Sequence, residues 1–287
     1  MAIQIQNIST TSPRGNNKQQ RKYLKVNYVG GANIGDGVFP YMLHKEGIPF
    51  SWSSHLEHKK IISTGSILAV GSKRDTIIWG SGIISAEQKM HPDAIPYSVR
   101  GKYSAGACNK DTLPLGDPAL ALPHFFKEYQ YKDVKKQSKI GLIPHLIEFD
   151  DVLTHLRENG TLDRYKVIRL NAFYDHPNYE EFLREVISCE KVISTSLHGL
   201  VIANAFGIPA AWWKYSDRLM GDDIKFFDYA SAFDHEIKKH NEIENINDFW
   251  CPEQARLISV QEGILNSSPM YKELDSGYYT DELVEKR

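Results

Sequence analysis

Cysteine is scarce in this chain, and neither sign of charge is in excess. Three cysteines, Cys108, Cys189 and Cys251, stand far apart in 287 residues. None belongs to a C-x-x-C pair, which argues against a disulfide framework, a zinc ribbon or a thioredoxin-like redox motif and fits a reducing compartment. Lys and Arg number 34 against 36 Asp and Glu, a formal charge of −2. The basic excess of a typical nucleic-acid binder is therefore missing. The longest apolar stretch, near Leu200–Trp213, is interrupted by Asn204, Gly207 and Pro209 and is too short to span a bilayer. Residues 1–20 are rich in Ser, Thr, Asn and Gln and lack an apolar core, so they read as a polar tail and not as a secretory signal. H-E-x-x-H, G-x-S-x-G, Walker A and dinucleotide G-x-G-x-x-G spacings are all missing, and no Cys/His/Asp grouping has metal-ligand spacing. The expectation is a soluble, cytoplasmic protein whose motifs signal neither a metal nor a resident cofactor.

What the chain does have is a regular alternation. Leu24–Val29, Ser66–Val70, Thr76–Trp79 and Tyr97–Val99 read as short strands, with a helix running to about Lys45 and another that Ser104 could cap. After a lysine-rich stretch the rhythm restarts. Ile140–Ile143, Tyr165–Leu170, Val192–Thr195 and Ile208–Trp213 read as strands, and Phe149–Glu158, Tyr179–Cys189 and Leu197–Phe206 as helices. Strands spaced by helix-length segments argue for parallel sheets with helices on both faces. The division expected is a flexible tail (1–20), an α/β domain (21–126), a linker (127–138), a second α/β domain (139–250) and a helical segment (251–287) spaced by Leu257, Val260 and Ile264. Ligands of such sheets bind beyond the carboxyl ends of the strands, which selects a few loops.

Those loops hold the unusual residues. Gly30–Gly37 follows a strand and precedes a helix, so Gly35 can bring backbone N–H groups close to an anion. The plain alternative is an ordinary turn with Asp36 as a cap. Trp79-Gly80-Ser81-Gly82 is a second glycine turn. Arg100 after a strand could grip a carboxylate or phosphate in two-pronged fashion, or form a structural ion pair. In Ile193-Ser194-Thr195-Ser196-Leu197-His198-Gly199 a buried strand ends in three hydroxyl residues, and His198 enters the first turn of an apolar helix. Ser194 and Ser196 could cap that helix or bind an oxyanion there. The helix dipole disfavours the imidazolium, leaving a neutral His198 suited to acid–base work; a satisfied core histidine is the plain alternative. Between Lys214 and Tyr229, basic residues including Arg218 and Lys225 stand beside aromatic ones, a mixture that suits a phosphorylated or saccharide ligand and equally a solvated loop.

In this order the segments resemble the polysaccharide pyruvyltransferase family, of the exopolysaccharide ketal-pyruvyltransferase type. The match runs through Asn33-Ile34-Gly35-Asp36, Trp79-Gly80-Ser81-Gly82-Ile83, Val99-Arg100-Gly101, Gly116-Asp117-Pro118, Ile140–His145, Ser194–Gly199 and Lys225–Ala230. The resemblance implies a GT-B-like fold, two Rossmann-like domains with parallel sheets facing a cleft. It implies transfer of pyruvate from phosphoenolpyruvate onto two hydroxyls of a sugar, as a cyclic ketal, with phosphate released. Phosphoenolpyruvate is then a co-substrate, and the partner a saccharide acceptor, free, lipid-linked or nucleotide-linked, the last two allowing work at the inner face of a membrane. His198 maps onto the family's catalytic acid or base in its (Arg/Ser)-Leu-His motif. Ser196 stands where many members carry a donor-binding arginine, which moves that role to Arg100, Lys225 or Arg218, with Gly35, Ser194 and Ser196 beside them. Asn33, Asp36, Ser81, Asp117 and His145 are expected at the acceptor or along the cleft. Two other functions fit the same scaffold: a glycosyltransferase using a nucleotide-sugar donor, and a non-catalytic saccharide- or phosphate-binding protein.

Overall fold

Two separate sheets of mainly parallel strands organise the chain in the computed structural model, which describes residues 21–110, 112–126, 136 and 140–284. The expected tail and nearly all of the expected linker lie outside those residues. The first sheet contains β1 (Tyr23–Asn27), β2 (Phe50–Trp52), β3 (Ile61–Ile62), β4 (Ile77–Trp79) and β5 (Ile95–Ser98). The second contains β6 (Ile140–Ile143), β7 (Tyr165–Val167), β8 (Val192–Ser194), β9 (Ala210–Trp213) and β10 (Lys239–His240). A last strand, β11 (Tyr279–Thr280), returns to pair antiparallel with β1 in the first sheet.

The pairing identifies where ligands should bind. In the first sheet the path runs β11-β1-β3-β4-β5, with β2 also on β1. In the second it runs β10-β9-β8-β6-β7. Each sheet therefore begins on an inner strand, β1 or β6, whose following connections leave in opposite directions. Such a reversal opens a crevice beyond the carboxyl end of that strand. By that rule the regions to inspect are the loop from Gly30 to Gly37 and the loop from Pro144 to Glu148.

Nine helices among the described residues cover the sheets: α1 (Val38–Lys45), α2 (Leu68–Gly71), α3 (Lys102–Ala107), α4 (Leu122–Phe125), α5 (Phe149–Glu158), α6 (Pro177–Ile187), α7 (Leu197–Ala205), α8 (Ile224–Ser231) and α9 (Gln254–Asn266). Every residue of α7 is buried, which follows from a sequence apolar on all sides. Helix α9 buries Leu257, Val260 and Ile264, the three residues whose spacing predicts it. It bridges the halves, because Gln261 Nε2 donates to both Leu120 O (2.9 Å) and Ala205 O (3.1 Å). The main apolar core likewise draws Val26, Phe39 and Trp79 from the first half and Ile143, Leu200 and Trp212 from the second. No helix among the described residues is long and apolar enough to cross a membrane.

Several local expectations are corrected. The strand expected at Ser66–Val70 is instead the short helix α2; the strand of this region is β3, which exits through Gly65 at φ +98°. Short apolar runs do not distinguish strand from helix by period. Ser104 lies inside α3, where its hydroxyl donates to Asp228 Oδ2 (2.6 Å) and accepts from Ile83 N (3.1 Å), so it is no cap. The cap position of α1 is Gly37 and not Asp36.

Candidate active site

The strand–helix junction at β8 and α7 is tightly specified. Ser194 Oγ bonds Ile143 O (2.6 Å) and accepts from Ser196 N (2.9 Å), so its hydroxyl is consumed in shaping the turn. Gly199 is required one turn on, since a Cβ there would lie 2.2 Å from Ser194 Oγ. Thr195 Oγ1 accepts from His145 N (2.9 Å), joining the loop after β6 to the loop after β8. Ser196 occupies the cap position of α7, but its side chain makes no capping bond, leaving the first N–H groups of the helix without that partner.

His198 follows, almost wholly enclosed at 7% exposure. Gly35 of the other half presses on it: a Cβ at Gly35 would sit 1.9 Å from His198 Nδ1. His198 Nε2 lies 3.8 Å from Asp117 Oδ2. Both atoms are buried, and neither has a hydrogen-bond partner among the described residues. Burial, then the charges of Arg100 and Lys225, push the imidazole down to about 3. Burial pushes the Asp117 carboxyl up to about 6, against the N–H of Ala119 that its other oxygen accepts (3.0 Å). A neutral ring therefore faces a carboxyl that holds a proton unusually well.

Around this pair the loops converge. His145 is half-buried and held neutral, pushed down to about 4 by burial and then by Lys225 and His198. The Lys225 ammonium reaches Met220 O (3.5 Å) and is lowered by burial and by Arg100, while Asp223, Glu148 and Asp36 oppose that fall. Gly35, Asp36, Asp117, His145, His198 and Lys225 thus come together from both sheets. Among the described residues no group of three or more His, Cys, Asp and Glu side chains could hold a metal ion.

Other expected residues are placed differently. Arg100 is fully buried and spent inside the protein: Nε donates to Asp228 Oδ2 (2.9 Å), one terminal nitrogen to Ser66 Oγ (2.7 Å) and the other to Ile83 O (2.5 Å). It is the structural ion pair, and with its side chain wholly buried the fork is not open to a ligand in this conformation. Arg218 lies at the surface, paired with Asp151 at 2.5 Å. Ser81 is buried with its hydroxyl on Gly65 O (2.9 Å). Asn33 Oδ1 accepts from Gly35 N (3.0 Å), while its backbone bridges to Asn171 and so fastens the two halves together.

Sequence reasoning missed two features. Glu148 is buried; one oxygen accepts from Ser216 Oγ (2.5 Å) and the other has no partner among the described residues. A carboxylate in the loop beyond an apolar strand was the available signal. Ser63 and Thr64, with buried hydroxyls that find no partner among the described residues, occupy the loop after β3; displacing the strand to Ser66–Val70 hid them.

An enclosed histidine–carboxyl pair thus lies where the loops of two mainly parallel α/β sheets meet. The family model for polysaccharide pyruvyl transferase matches residues 20–217, and the chain belongs to that family. It is also 32% identical over 227 residues, covering 74% of this chain and 75% of the relative, to an uncharacterised protein of Acanthamoeba polyphaga mimivirus.

Proposed function

We propose that the protein transfers pyruvate from phosphoenolpyruvate onto two hydroxyls of one sugar in a polysaccharide or its precursor, in the cytoplasm, on a GT-B-like pair of Rossmann-like halves. The observation that carries this reading is the Asp117–His198 pair, its facing atoms buried, 3.8 Å apart and without other partners. Lys225 and the open first turn of α7 are the groups suited to the donor's phosphate and carboxylate. The donor's negative charge raises the proton affinity of the Asp117–His198 pair, and the proton the pair then binds is placed on the imidazole.

The steps balance as follows. The proton goes to C3 of the enol, making a methyl group. A sugar hydroxyl adds to C2 and gives up its proton to the emptied pair. The C2–O bond to phosphorus then breaks, and phosphate leaves. The second hydroxyl forms the second C2–O bond, its proton leaving with phosphate. Because His198 is enclosed, the Gly35 loop and α7 separate to admit the donor.

The test is incubation with phosphoenolpyruvate and a panel of galactosides, glucosides and mannosides. Phosphate release and a mass gain of one ketal-linked pyruvate are expected; nucleotide release from a sugar nucleotide without either would overturn the reading. His198→Ala should lose at least about 10²-fold in kcat while still folding. Near-normal turnover in that variant would remove His198 from the mechanism.

A further inference from the structure

Between α5 and the loop after β9 the surface holds a cavity of about 510 Å³, lined by Asp151, His155, Glu158, Tyr215, Ser216 and Arg218. Its size is that of a small-molecule site, roughly 300–1,000 Å³. No step of the reaction above uses it. We propose that it is a subsite for a neutral stretch of the acceptor glycan, beyond the sugar whose hydroxyls are modified; the proposal rests on the pyruvyl-transfer reading.

Three observations point to this ligand. The first is the ring. Tyr215 is half-buried, with His155 and Trp213 meeting it at 66° and 72°, so they brace it edge-to-face without stacking flat upon it. Its hydroxyl donates to Asp151 O (3.3 Å), which fixes its orientation. A braced, partly exposed ring offers a platform to the C–H face of a sugar at little entropic cost.

The second is charge. Arg218 and Asp151 neutralise each other at 2.5 Å, and Glu158 remains. Carboxylates accept from sugar hydroxyls, whereas the residual negative charge repels phosphate. A nucleotide or a lipid pyrophosphate is therefore a poor occupant, and a neutral glycan a good one.

The third is the connection inward. Ser216 in the cavity wall donates to Glu148 (2.5 Å) and accepts from Arg218 N (3.2 Å). Glu148 is the buried carboxylate whose charge reaches Lys225. Lys214, where the same loop begins, holds Asp223 at 2.6 Å, and Asp223 precedes the helix that carries Lys225. The cavity and the candidate active site are thus joined through one loop.

The test compares methyl monosaccharides with neutral tetrasaccharides of galactose, glucose or mannose, at fixed phosphoenolpyruvate. Tyr215→Ala and Glu158→Gln should each leave kcat and the monosaccharide KM unchanged. Tyr215→Ala should raise the tetrasaccharide KM by about tenfold, the effect of losing one good contact. An unchanged tetrasaccharide KM, or an equal shift for both acceptors, would overturn the subsite. Saturation-transfer NMR on the same tetrasaccharides needs no turnover and separates the two ideas. Signal lost in folded Tyr215→Ala supports the subsite even if no phosphate is ever released, an outcome that would sink only the pyruvyl-transfer reading. Equal signal in parent and variant refutes the subsite, as does binding of a nucleotide sugar that depends on Arg218.

Discussion

Asp117 sits wholly inside the protein, one oxygen capping the 118–121 turn through Ala119 N–H and the other turned toward His198 without a hydrogen bond. Its carboxyl rises from 3.8 to about 6, chiefly through burial. The folded state therefore holds this proton more tightly than the unfolded chain. The stability it lends is full below about pH 4 and is lost as pH climbs through about 6. At pH 7 the ionised group costs about 3 kcal/mol. Asp117→Asn keeps an oxygen for the cap and removes the charge. It should gain about 1–3 kcal/mol at pH 7 and nothing near pH 4, by urea titration at both, while transfer activity falls. A variant no more stable at pH 7 than the parent would mean that the carboxyl is not strained there. His198 has the opposite effect: its fall to about 3 lets stability drop as pH goes below its ordinary 6.5.

At the scale of elements, β5, α3 and α8 are locked by Arg100 and Asp228. Asp228 also takes Ser104 N (2.9 Å), and a Cβ at Gly101 would lie 1.7 Å from Asp228 O. Removing one partner of a buried pair strands the other charge. Asp228→Asn or Arg100→Met should therefore cost about 3–5 kcal/mol, measured by thermal and chemical denaturation. An arginine that bound the donor at the surface would instead raise the phosphoenolpyruvate KM and leave the melt alone. The contrast shows what local sequence could tell. Helix α5 appears at Phe149–Glu158, the bounds its pattern predicts, and α9 buries the predicted stripe. The loops that hold His145 and lead into His198 were legible as well, because strand ends in a parallel sheet announce where ligands go. The partner of Arg100 was not, being 128 residues away with nothing local to mark it. Helix α8 was hidden as well, since its charged and aromatic residues also describe a solvated loop.

Across the whole molecule the two halves meet through more than the candidate site. Tyr179 OH donates to Ile34 O (3.1 Å), the Tyr41 and Tyr179 rings stack at 4.5 Å, and Lys45 pairs with Glu180 at 3.0 Å. The main core is shared between the sheets. The sequence rhythm foretold two sheets but not how much surface they share, since packing between distant segments leaves no periodic trace. A shared core predicts one cooperative heat transition, with calorimetric and van't Hoff enthalpies in agreement. Two resolved peaks would show the halves to be thermodynamically independent.

The glycine wall over the imidazole carries one more consequence. If donor enters and phosphate leaves past Gly35, each catalytic cycle parts that wall twice against the friction of the surrounding solvent. Turnover paced by that motion slows in proportion as sucrose thickens the medium, whereas turnover paced by bond-making ignores it.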